Sequence, residues 1–353
     1  MSRMLASLSA VAALMGGTAM ADAPNVVADI APVHSLVARV MEGVGTPDLI
    51  LPPGASPHEY NLRPSEAGAL QDADVVVWMG PRLAPWMEGA VETLAGDGGV
   101  LTLLEADETK LLDFRQNALF EKHSHGHGEE HGEDEHDHEE HAEGDHDHEA
   151  EHDQEEHAEG EHAHDDGHDH EEHAAHNDHD HAHGKYDAHA WLSPENASAW
   201  LNLIAAELSS ADPENAGTYF ANAAAGREEL KALQSEVNAI LDPVRGGSFI
   251  LFHDAFQYFE VDFDFAASGA ISLSDAQDPG PARIAEIQTR VRGEGIDCVL
   301  AEPQFNPGLV ATVLDGTEAK TGVIDALGID LEPGSSLYPQ LIRNIATTLA
   351  DCL

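Results

Sequence analysis

The chain has 353 residues, 42% of them apolar, with a formal net charge of -50. That length accommodates two ordinary domains with real cores, and so acidic a chain excludes nucleic acid and anionic membrane surfaces as partners while concentrating metal cations. Its only two cysteines, Cys298 and Cys352, are too few for a thiolate zinc site.

Met1-Ser2-Arg3-Met4, an apolar run over 5–15 and Ala19-Met20-Ala21 before Asp22 read as a secretory signal peptide cleaved after Ala21. The run is too short to span a bilayer. An exported chain allows a disulfide between Cys298 and Cys352, the favoured reading; two buried free thiols are the alternative.

Residues 25–30 read as a buried strand, 33–41 as a helix and 49–51 as a second strand. A rigid loop over 52–60 follows, in which Pro57 restricts the backbone just before His58. A helix over 64–70, a strand over 74–79, a helix over 83–94 and a strand over 100–104 complete the pattern. Strands alternating with helices predict a parallel, doubly wound sheet, with ligands bound beyond the carboxyl ends of its strands, where the His58 loop falls.

Residues 123–184 hold 20 of the 24 histidines and 25 of the 66 acidic residues, without a Lys or Arg. Scattered alanines cannot bury enough surface to offset the entropy of ordering, so a disordered insertion is expected. It repeats His-Asp-His-Glu-Glu-His at 136–141 and 168–173, which offers many weak, overlapping, pH-sensitive cation sites. The match of His148-Glu149-Ala150-Glu151-His152 to a metalloprotease motif is discounted, because that motif needs an amphipathic helix packed on a core. A solubilising tract is the bland alternative.

Ser193-Pro194 predicts a helix start, and that helix runs to about residue 209. A second helix, from Asp212-Pro213 to Asp242-Pro243, would span about 28 residues or roughly 42 Å and act as a stiff connector. The remainder repeats the first half, with strands over 248–252, 263–267, 298–301 and 322–324, and helices over 281–292 and 338–349. The expected fold is α/β: two doubly wound lobes, 22–211 and 244–353, joined by a long rigid helix over 212–243, the first lobe carrying the insertion.

Four histidines lie outside the insertion: His34, His58, His189 and His253. Each alone is more often a hydrogen-bonded structural residue than a ligand, and His34, at a helix start, reads that way. The other three adjoin strand ends or helix starts in both lobes, so the topology lets them converge on one cleft.

Four motifs then stand in order: Gly54-Ala55-Ser56-Pro57-His58-Glu59-Tyr60, Asp187-Ala188-His189-Ala190-Trp191-Leu192-Ser193-Pro194, Phe252-His253-Asp254-Ala255-Phe256-Gln257-Tyr258-Phe259 and Ala301-Glu302-Pro303-Gln304-Phe305. Together they resemble the ZnuA-type zinc-binding proteins that feed ABC uptake transporters, over essentially the whole mature chain. The resemblance implies that His58, His189 and His253 are metal ligands. Pro57 stands where some relatives carry a ligand Glu, and Glu59 is expected to point elsewhere. Asp325, in Val323-Ile324-Asp325-Ala326-Leu327, matches an Asp that completes the site in other relatives. Water is the other fourth donor, and a helix N-cap is the structural reading of Asp325.

Three imidazoles and one oxygen suit Zn2+ better than calcium, magnesium or manganese, although copper and nickel fit the same donors. Glu302 and Gln304 are expected to orient a ligand imidazole. The implied function is a monomeric periplasmic protein that captures Zn2+ between its lobes and delivers it to an ABC permease in the inner membrane, without catalysis. Two rivals remain: a zinc hydrolase, for which no general base stands beside the histidines, and a zinc buffer acting through 123–184.

Overall fold

The structure of the chain, a computed structural model, describes residues 23–96, 98–115, 185–272 and 279–353. The expected signal peptide and the expected disordered insertion lie outside the described residues. Short apolar runs bounded by turn residues form two parallel sheets. The first contains β1 (Val26–Ala28), β2 (Asp48–Leu49), β3 (Val75–Trp78) and β4 (Gly99–Thr102) in the order β2-β1-β3-β4. The second contains β5 (Phe249–His253), β6 (Gly269–Ser272), β7 (Cys298–Ala301) and β8 (Lys320–Val323) in the order β6-β5-β7-β8. Each sheet therefore grows first to one side and then to the other, which opens a crevice beyond the carboxyl ends of β1 and β3 and of β5 and β7.

The helices are α1 (Ala31–Val40), α2 (Pro64–Gln71), α3 (Pro85–Leu94), α4 (Pro194–Ala211), α5 (Ala216–Leu241), α6 (Gln257–Phe263), α7 (Pro281–Glu294), α8 (Pro307–Leu314) and α9 (Leu337–Cys352). Six of them carry Pro in their first two positions, where its missing N–H costs nothing and its fixed φ is already helical. At α4 the Ser193 side chain accepts from Asn196 N at 3.0 Å, a true N-cap.

Period-two alternation splits the central strands between two cores. Val75 and Val77 face a core shared by both sheets with Trp200 and Ile204 of α4, Leu233 and Val237 of α5, and Ile342 and Ile345 of α9. Val76 and Trp78 face the outer layer of α2 and α3, and Ile250 and Val299 face that of α7 and α8. Helix α5 is bolted to α1 by the two-pronged Arg39–Glu229 pair (3.0 and 2.9 Å) and to α9 by Arg343–Glu236 (2.7 and 2.8 Å). Glu229 and Glu236 lie two turns apart on one helix face. The connector is shorter than expected, because a 3-10 turn, Pro213–Asn215, precedes it.

One expected strand is displaced. Residues 263–267 were expected to form a strand, but α6 continues to Phe263 and ends at Asp264 in the left-handed region (φ 48°), so pairing begins only at Gly269. Phe265 is buried because it stacks on Phe249 (centroids 5.6 Å), as part of a turn closed by Phe265 N donating to Glu260 O. Helix α8 was not expected from the sequence. The Cys298–Cys352 disulfide is formed, with a Cα separation of 5.8 Å, and ties the start of β7 to the end of α9.

Candidate metal centre

His58 stands in the loop after β2. Gly54 takes a positive φ of 85°, the Ser56 side chain accepts from His58 N at 3.2 Å, and the Trp86 indole donates to Pro57 O at 2.8 Å, so the turn leading into the histidine is fixed. Glu59 is exposed.

His189 precedes the 3-10 turn Ala190–Leu192 that leads into α4. Oδ1 of Asp187 accepts from both the His189 backbone N (2.9 Å) and Nδ1 (2.7 Å). His253 is the last residue of β5, and Oε1 of Glu302, one residue beyond neighbouring β7, accepts from its backbone N (3.1 Å) and Nδ1 (2.6 Å). Both imidazoles, Asp187 and Glu302 are buried. A carboxylate on Nδ1 fixes the tautomer that presents an Nε2 lone pair, which is how proteins orient metal-binding histidines.

The three rings adjoin. His189 lies between His58 (centroids 5.2 Å) and His253 (5.3 Å), and Phe305 closes over His253 at 5.4 Å. Nε2 of His58 and Nε2 of His189 are 3.2 Å apart. Two nitrogens on a tetrahedral zinc, each at about 2.0 Å, stand about 3.3 Å apart, so this pair already has the spacing of a coordination edge. Among the described residues no group of three or more His, Cys, Asp or Glu side chains stands in full coordinating geometry.

Asp325 follows β8, and both its oxygens are engaged: Oδ1 accepts from Leu327 N and Gly328 N, each at 2.9 Å, and Oδ2 from Ile329 N at 2.6 Å. It caps a turn. That turn adjoins the His189 segment, since the Trp191 indole donates to Ala326 O at 2.8 Å. Of the two residues expected to orient an imidazole, Glu302 does so; Gln304 Oε1 is buried with no hydrogen-bond partner among the described residues. Nε2 of buried His34 donates to Pro47 O at 3.0 Å, and burial lowers its pKa, so it serves the packing of α1.

Two acidic residues went unread in the sequence. Asp187 was visible only as an Asp two positions before a histidine at a helix start. Asp254, beside His253, is ion-paired with Arg115 at 2.9 Å, and burial still pushes its carboxyl up to about 7.

Two parallel α/β sheets with three adjoining histidine rings, two of them hydrogen-bonded to carboxylates, are the frame of a metal-binding solute-binding protein. The chain belongs to the ZnuA family: residues 26–352 match the family model described as zinc-uptake complex component A, periplasmic. It is 44% identical to the high-affinity zinc uptake system protein ZnuA of Brucella abortus (strain 2308), over 97% of this chain and 96% of that protein. It is 40% identical to the ZnuA of Paracoccus denitrificans (strain Pd 1222), over 97% of each. Among solved structures, a ZnuA deletion mutant with zinc bound shares the fold at a TM-score of 0.66 and 19% identity, over 94% of this chain and 98% of that one.

Proposed function

We propose that this chain is the periplasmic binding component of a zinc ABC importer, that Nε2 of His58, His189 and His253 hold the ion between lobes 22–211 and 244–353, and that water supplies the fourth donor. The observation that carries the reading is the pairing of carboxylate with Nδ1 at His189 and at His253 (2.7 and 2.6 Å), with His58 Nε2 at 3.2 Å from His189 Nε2. The family and the names of its relatives supply the cargo, Zn2+, and the periplasmic setting. Asp325, whose oxygens are taken up by backbone amides, acts on this reading as a turn cap rather than a ligand. The ion is carried without chemistry to a permease, by a monomer whose signal peptide is cleaved after Ala21.

The test is calorimetry with Zn2+ on the full chain, on a deletion of 123–184 and on single Ala variants of the three histidines. One tight site should survive the deletion and vanish with His58→Ala, His189→Ala or His253→Ala. Loss of every site below micromolar on deletion would move the function to the insertion.

A further inference from the structure

The two segments that flank residues 116–184 are joined to each other and gripped by the second lobe. Phe114 N donates to Lys185 O at 3.0 Å, Asp187 N donates to Leu112 O at 2.9 Å, and Asp113 pairs with Tyr186 in an antiparallel bridge. Helix α6 reaches across to both strands of this root. The Tyr258 hydroxyl accepts from Leu112 N at 3.0 Å and donates to Asp187 O at 2.9 Å. On the same root Arg115 donates to Asp254 Oδ1 at 2.9 Å and to both Glu260 oxygens at 3.0 and 2.9 Å.

The hydroxyl of Tyr258 has a particular place in this arrangement. Its helix begins just after His253, and its partner Asp187 is the residue whose side chain orients His189. The neighbouring core positions Phe256, Phe259 and Phe263 are also buried and carry no polar atom. A hydroxyl at Tyr258 alone, buried and using both its donor and its acceptor, costs desolvation that only a specific bridge offsets.

We propose that Tyr258 is a positioning residue of the metal centre: by bonding Asp187 and Leu112 it sets the register between His189, from the first lobe, and His253, from the second. The proposal rests on the three-histidine reading. Donors supplied by two lobes must be held to within about 0.5 Å for a metal to gain all of them, and this bridge joins the segments that bear two of them.

The experiment compares the full-length parent with Tyr258→Phe and with Tyr219→Phe, which removes a buried hydroxyl bond to Asp212 remote from the centre. Zn2+ affinity is read by chelator competition, the ligand field by the visible spectrum of the Co2+-loaded protein, and fold by thermal melting. Tyr258→Phe should bind one ion with a dissociation constant raised about tenfold and an altered Co2+ spectrum, while Tyr219→Phe lowers only the melting temperature. A Tyr258→Phe variant within twofold of the parent, with the same Co2+ spectrum, overturns the proposal and leaves the centre standing. A parent whose binding is indifferent to His→Ala at 58, 189 and 253 overturns the centre and the proposal together.

Discussion

Oε1 of Glu302 accepts from both the backbone N and the ring Nδ1 of His253, at 3.1 and 2.6 Å. One carboxylate thereby closes the crevice between neighbouring strands β5 and β7 and fixes which nitrogen His253 presents. The first sheet has a counterpart: Asp29, just beyond β1, accepts from Met79 N, just beyond β3, at 2.7 Å. The same topology puts a carboxylate at both crevices, and only the second is coupled to a candidate ligand.

Glu302→Gln keeps the shape but replaces the anion with a neutral amide, weakening the bond that makes the imidazole a better donor. Zn2+ affinity should fall by about 10- to 100-fold, as for other partners of ligand histidines, with one ion still bound. Competition titration against a chelator measures this, and an unchanged affinity would deny Glu302 that role.

Asp325→Asn separates turn cap from ligand. Removal of the charge from three amide bonds should lower stability by about 1 to 2 kcal/mol while the Zn2+ dissociation constant stays within about threefold, a change too small for a lost ligand. Urea denaturation and chelator competition on the same preparation give both numbers. A hundredfold loss of affinity would make Asp325 the fourth donor.

Burial pushes the Asp29 carboxyl from 3.8 up to about 7, against its bonds from Met79 N and Ile30 N. Between those values the folded chain keeps a proton that the unfolded chain has released, so this group's contribution to stability is full below about 3.8 and is lost as pH rises through about 7. The loss is on the order of 4 kcal/mol. Asp29→Asn should be less stable at low pH and should flatten the decline between pH 5 and pH 8 relative to the parent, as read from urea midpoints. Parallel pH profiles would refute the assignment.

The Cys298–Cys352 bridge spans a sequence separation of 54. Chain entropy assigns such a loop about 4 kcal/mol. The double variant Cys298→Ser, Cys352→Ser should lose about 2 to 4 kcal/mol in urea denaturation. Its Zn2+ affinity should be unchanged, because the staple holds the start of β7 and Glu302 follows the other end.

Much of the fold was legible because its signals are local. Proline at helix starts, valine runs in β1 and β3, and Ser193 as a cap act through neighbours a few residues away, so the α/β alternation followed from the chain alone. The strand expected over 263–267 failed because apolar residues record burial, not pairing. Phe263 and Phe265 are buried by the end of a helix and the turn after it, and a sequence window does not distinguish these from a strand.

The sequence by itself determined which residue types were available: four histidines outside the 123–184 stretch, two cysteines and motifs in the family's order. Only the tertiary structure decided how they are used. Asp187 meets His189 through a turn, but Glu302 meets His253 across 49 residues because β5 and β7 are neighbours in the sheet. Asp325 is a ligand candidate by motif, and the fold brings its oxygens to the backbone N–H groups of Leu327, Gly328 and Ile329. Hydrogen bonds and coordination need atoms within about 3 Å of each other, and which distant residues reach that range is settled by strand order and lobe packing.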